Sequence, residues 1–128
     1  MPVTTETINY NSFLTTTIKN YSRVLQIYDA IIKAGLRTIP LTDGAFVAAA
    51  ESADALGDQA TYIEIVDALR AEHPGSVQVP KVLWRLAEIH REAGREDQEL
   101  VTLQLLAERY PRHEHGARAV KELAKRQV

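Results

Sequence analysis

The residues most able to do chemistry sit near the C-terminal end, in "LAERYPRHEHG": His113, Glu114 and His115 in succession. Two imidazoles and a carboxylate are the donor types of a zinc site. The spacing works against that chemistry. His113 and His115 are two apart, so one helical face cannot carry both, and no cysteine or nearby histidine completes a tetrahedral set. The stretch reads instead as a solvated loop and a helix start. His90 falls on an apolar helix face beside Leu86 and Ala87, where a packed, hydrogen-bonded histidine fits better than a ligand. His73 precedes Pro74, a position where the chain leaves a helix. The carboxylates Glu96 and Asp97 share a turn and read as helix N-terminal charge. The six glycines are scattered, with no phosphate-cradling loop and no Gly-x-Ser-x-Gly elbow. No catalytic residue, cofactor or metal site is therefore expected, and the chain reads as non-enzymatic.

The chain has 128 residues, 45% of them apolar and 25% charged, which suits an ordinary globular domain with a real core. A net charge of −2 argues against a general nucleic-acid or membrane-surface binder. With no cysteine there are no disulfides and no thiolate nucleophile, as a reducing compartment would favour. No apolar run approaches the roughly 18 residues that span a bilayer, so membrane insertion is not expected. The opening "MPVTTETINYNSF" lacks a basic region followed by an apolar core and is not read as a signal peptide. The expected location is cytoplasmic; an excised soluble domain of an envelope or periplasmic protein would look the same.

What must position any site is an internal repeat. A shift of 37 residues sets Pro74 on Pro111, Leu69 on Leu106, Val66 on Leu103 and Ile63 on Leu100. The same shift sets Phe46 on Leu83, Ala50 on Ala87, Gly57 on Gly94, Leu83 on Val120 and Leu86 on Leu123. Within each unit apolar residues recur every three or four positions, as in "FVAAAESADAL" and "LVTLQLLAERY". Gly57 and Gly94 fall between paired helices, Asp58 can cap the helix that follows, and Pro74 and Pro111 stop the second helix. Pro80 suits a first helical turn. Each unit reads helix, tight turn, helix, proline-marked loop, and stacked neighbours must complete the core.

This pattern resembles the tetratricopeptide repeat. Ala50, Gly57 and Pro74 match one set of the family's small residue, glycine and closing proline, and Ala87, Gly94 and Pro111 match the next. The resemblance covers residues 42–128, as units 42–74 and 79–111 and a capping helix 115–128. It implies an all-α, right-handed α-solenoid of antiparallel helix pairs, about six helices in all. The surplus length in "GSVQVP" and "RHEHGA" resembles the long-loop variant of bacterial envelope-assembly accessory proteins. One departure stands out. The small residue expected early in the second helix is Tyr62 in one unit and Glu99 in the other. The last helix is expected to cap the repeats, burying Ala117, Val120, Leu123 and Ala124 and solvating its other faces with Arg118, Lys121, Glu122, Lys125 and Arg126.

Before the repeats, residues 1–9 read as a flexible N-terminus and 10–41 as a long helix and loop. Tyr10, Leu14, Thr17, Tyr21, Val24, Tyr28 and Ile31 alternate spacings of four and three, a three-heptad seam flanked by Ile18, Leu25 and Ile32. Thr15, Thr16 and Thr17 are weak helix formers, so a break near Asn20 is allowed. The second half of this helix can pack on the helix after Thr42. Alternatively, Tyr10, Leu14, Tyr21 and Tyr28 can form an oligomer seam with another copy.

The charge distribution gives the functional reading. Residues 41–72 carry seven acids and one base, and residues 73–128 carry ten bases and eight acids. In this family the first helix of each unit lines the concave face. The resemblance thus implies a groove of Gly44, Val47, Glu51 and Asp54, then Lys81, Trp84, Glu88 and Arg91, then Arg118, Lys121 and Lys125. Trp84 serves either as a half-buried core residue or as a peptide platform. Some members clamp a C-terminal carboxylate with asparagines and bases; this groove has no asparagine, so that activity is not implied. The expected function is a protein-interaction module holding a protein or peptide segment in the groove. The alternative is a structural module, part of a larger bacterial envelope protein, that self-associates as a homodimer through the N-terminal helix.

Overall fold

Six helices account for the described part of the chain, and side chains cap the start of five of them. In the computed structural model the structure describes residues 20–35 and 40–126. The helices are α1 (Tyr21–Ala34), α2 (Asp43–Ala55), α3 (Gln59–Glu72), α4 (Gln78–Glu92), α5 (Glu96–Arg109) and α6 (Glu114–Arg126). There is no strand among the described residues. The fold is all-α and built of helix pairs.

Most of these boundaries have a local cause. Asn20 caps α1 by accepting the Arg23 N–H at 3.1 Å, the point where the threonine-rich stretch allowed a break. Residues 10–19 of the expected long helix, with Tyr10, Leu14, Thr17 and Ile18, lie outside the described residues. Thr42 accepts the Ala45 N–H at 3.2 Å, and Asp58 accepts the Thr61 N–H at 3.2 Å. Ser76 accepts the Gln78 N–H at 3.1 Å to open α4. Gly57 and Gly94, 37 residues apart, both sit at positive φ, 73° and 77°. A side chain there would meet its own backbone, so glycine closes each pair.

The chain divides into two compact units, Met1–Glu72 and His73–Val128. In the first, α2 packs against α1 and α3. Val24, Tyr28 and Ile31 of α1 are buried, and the Tyr28 ring meets Phe46 edge-on, with centroids 6.1 Å apart at 70°. The second half of the N-terminal helix therefore packs on α2. Tyr28 is occupied inside its own unit and does not face outward for a seam between copies, whereas Tyr21 is 41% exposed.

In the second unit α5 packs against both α4 and α6, and α4 touches α6. Burial follows the 37-residue register. Leu69 and Leu106, Val66 and Leu103, Phe46 and Leu83, and Ala50 and Ala87 are all buried. The last helix departs from expectation. Gly116 and Ala119 are its buried residues and Leu123 is half-buried, while Ala117, Val120 and Ala124 are exposed. A Cβ on Gly116 would run into the Tyr110 carbonyl oxygen and lie 3.1 Å from that of Leu106. The closest approach of α6 to α5 thus depends on residues too small to register in an apolar pattern.

Candidate functional site

Where α6 begins, the second unit gathers aromatic and basic side chains against α4. His113 Nδ1 accepts the His115 N–H at 3.1 Å, and the His113 carbonyl accepts the Ala117 N–H at 2.9 Å, so an imidazole caps the helix. The ring of His115 stacks on His113 (5.4 Å, 22°) and on Trp84 of α4 (6.0 Å, 26°). One turn along α6 the Arg118 guanidinium lies 5.0 Å from the Trp84 ring centroid. Trp84, Arg118, Lys121, Glu122 and Lys125 line one open cleft of about 320 Å³. The indole is half-buried: one part packs on α6 and another reaches the cleft.

His115 is more than a solvated loop residue. Its Nδ1 is enclosed and has no hydrogen-bond partner among the described residues. Burial holds the imidazole below its ordinary range; Glu114 opposes this, while His113, Arg118 and Lys81 add to it. No group of three or more metal-ligating side chains occurs among the described residues. The two histidines serve capping and stacking.

A second cluster explains the departure at Glu99. The first turn of α5 is acidic, with Glu96, Asp97 and Glu99, but only Glu99 is buried, its side chain 2% exposed. Its Oε2 takes Arg91 Nε at 3.0 Å and Arg126 Nη2 at 2.8 Å, joining α4, α5 and α6. The hydrogen bond from Arg126 holds the Glu99 carboxyl below the usual carboxylate range, against the opposing effect of burial. A carboxylate held by two guanidinium groups thus stands where the family pattern has a small residue. These side chains border a cleft of about 560 Å³ with Gly94, Leu100 and Leu123. His90, buried as expected, accepts from Arg95 Nε through Nδ1 at 3.0 Å. Burial lowers its pKa, Arg95 adds to this and Glu99 opposes it.

These shifts set the response to acid. His90 and His115 bind protons less readily folded than unfolded. Their contribution is complete above the unfolded imidazole value of about 6.5 and is lost as pH falls below it. Glu99 adds a loss at lower pH, as its carboxylate protonates. Thermal melts are expected to show a falling midpoint from pH 7.5 to 5.5, with His115→Gln flattening part of the slope. A midpoint independent of pH over that range would contradict the burial of both imidazoles.

Of the groove residues expected from sequence, Trp84, Arg118, Lys121 and Lys125 come together. Lys81 is exposed near the start of α4. Glu88 pairs with Arg85 at 3.6 Å. Arg91 turns to Glu99 and borders the other cleft. Val47, Glu51 and Asp54 lie on α2 of the first unit, with Val47 and Asp54 half-buried and Glu51 exposed. His115 was not anticipated as part of the cluster. The available signal was its place three residues before Arg118, on the same helix face.

Residues 81–113, covering α4 from Lys81 through α5, match the family model of the tetratricopeptide repeat. No curated protein and no solved structure matches the chain. The match and the α4–α5 helix pair support a tetratricopeptide-like repeat over residues 81–113. Repeats of that family generally mediate protein–protein interaction and are generally non-catalytic. No helix among the described residues is long and apolar enough to cross a membrane.

Proposed function

We propose that the second unit binds an acidic, partly apolar segment of a protein partner in the cleft between Trp84 on α4 and Arg118, Lys121 and Lys125 on α6. The observation that supports it most is the placement of an indole and three cations around one open cleft. Lys121 and Lys125 have no ion-pair partner among the described residues, so their charge is available. Exposed ion pairs contribute only about 0–1 kcal/mol each. Apolar contact with Trp84 must therefore supply most of the affinity, and the lysines set approach and direction. Val47, Glu51 and Asp54 belong to the other unit and stay outside this proposal. The long loops after Pro74 and Pro111 are what would place the protein among bacterial envelope-assembly accessory proteins.

The test is affinity capture of a partner, followed by titration of its segment against variants at two salt concentrations. Trp84→Ala is expected to lower affinity by about 2 kcal/mol or more, roughly thirtyfold. Reversal of Lys121 and Lys125 to glutamate is expected to slow association more than it speeds dissociation. Unchanged affinity for Trp84→Ala would end the cleft reading.

One observation favours self-association as a second reading: Tyr21 and Ile32 on α1 are each 41% exposed. A mass that rises with concentration and falls back in Tyr21→Asp would favour that reading.

A further inference from the structure

The two loops whose length exceeds the family unit, after Pro74 and Pro111, meet in the second unit. The Tyr110 hydroxyl donates to the Pro74 carbonyl at 3.3 Å, across 36 residues of sequence. Each loop is also tied locally. The Ser76 N–H donates to the His73 carbonyl and the His113 N–H to the Tyr110 carbonyl, both at 3.1 Å. Between the loops lies an open cleft of about 500 Å³. In its lining Pro80 is buried, Tyr110 is half-buried, and Val77 and Pro111 are exposed. It shares no lining residue with the Trp84 cleft.

Packing does not explain two features of this cleft. Val77 is 72% exposed, more than any other large apolar side chain among the described residues. Its counterpart in the 37-residue register is Glu114, so the fold does not demand an apolar side chain there. Arg109 and Arg112 line the same cleft, and neither guanidinium is in an ion pair among the described residues. Glu108 is the opposing carboxylate in the lining, so the balance is basic. We propose that the cleft docks a short, extended, acidic segment of a partner protein that carries one large apolar residue. That residue packs on Val77, Tyr110 and Pro111, and acids on either side of it reach Arg109 and Arg112. The apolar lining spans only a few side chains, whereas a helix laid in a groove needs anchors over two turns or more. A small-molecule site buries roughly 70–90% of its ligand, which an open cleft rimmed by an exposed valine does not. The Tyr110 hydrogen bond and the fixed rings of Pro74, Pro80 and Pro111 hold the walls before binding, so association leaves little to order.

The probe is a synthetic blocked peptide, acetyl-Gly-Asp-Glu-Phe-Glu-Asp-Gly-amide, titrated into the intact isotope-labelled protein. The amide signals of Val77, Tyr110 and Arg112 are expected to move saturably. The Trp84 indole reports the other cleft separately, and the Tyr110 shift should be unchanged in Trp84→Ala. Read at Tyr110, Val77→Asp should weaken binding about tenfold, because it removes the apolar contact and sets a carboxylate against the peptide's own acids. Arg112→Glu should weaken it about threefold, an effect that shrinks as salt rises. Both positions are exposed, so both variants should melt like the parent. Two control peptides, one with lysine for each acid and one with glycine for phenylalanine, should bind more weakly than the probe. The proposal is overturned if no saturable shift occurs, if either control peptide binds as well, or if both variants bind as tightly as the parent. Loss of the Tyr110 shift in Trp84→Ala would overturn it by assigning the peptide to the other cleft. Inorganic phosphate moving the same signals as strongly as the peptide would overturn it too, by making the arginines an anion site only.

Discussion

Leu103→Ala is expected to destabilise the second unit by about 2–5 kcal/mol. Leu103 is fully buried on α5, between α4 and α6, and its truncation removes three side-chain carbons from a site ringed by helix backbones. Such a site collapses poorly, so the cavity cost adds to the lost transfer free energy. Val101, two residues away and 64% exposed, is the control; Val101→Ala should fall within about 0.5 kcal/mol of the parent. Trp84 is the single tryptophan and lies in the second unit, so its emission reports the unfolding of that unit. Equal effects from the two substitutions would mean that the 37-residue register is wrong.

Gly116→Ala is the second substitution expected to have a large effect, and two terms of opposite sign decide it. Alanine has the higher helix propensity, by about 1 kcal/mol. Against that, the added Cβ meets the Tyr110 carbonyl group and the Leu106 carbonyl oxygen. Both obstacles are backbone, so no side chain can rotate away, and α6 must shift off α5. Overpacking of this kind costs about 1–3 kcal/mol or more, and a clash with fixed backbone belongs at the upper end. The net expectation is destabilisation by about 1–2 kcal/mol, with Gly116→Val worse. Gly75→Ala is the control: Gly75 is not at positive φ and nothing lies within 4 Å of its Cβ position. Urea unfolding followed at Trp84 checks both, and a neutral Gly116→Ala would contradict the close approach.

Much of the fold was legible because the chain repeats itself. Gly57 and Gly94 mark the same left-handed turn, and Leu69 and Leu106 the same buried position, so each unit checks the other. Asp58 was readable as a cap because a short oxygen side chain satisfies free helix N–H groups. The last helix was misread for a physical reason. Val120 and Ala124 inherit the register of Leu83 and Ala87, but those are buried by a following helix that α6 lacks among the described residues. Gly116 and Ala119, the residues that do pack, carry too little apolar surface to signal a face. Glu99 was visible only as a departure from pattern. An acid in a first helical turn ordinarily points to solvent, and its burial depends on arginines 8 residues before and 27 after it. The candidate cluster was half legible. Trp84, Arg118, Lys121 and Lys125 follow from the register, whereas the stacking of His115 on Trp84 joins residues 31 apart, which no local spacing reveals.

The most direct measurement uses the single indole. In an NMR titration of the labelled protein with its captured partner segment, Trp84 gives one indole N–H signal. The expected result is that this signal moves saturably, together with the backbone amides of Arg118, Lys121 and Lys125, and that the shifts shrink as salt rises. If the indole signal stays fixed while the amides around Tyr21 and Ile32 of α1 move, the Trp84 cleft is not the binding site and the contact surface is the N-terminal helix.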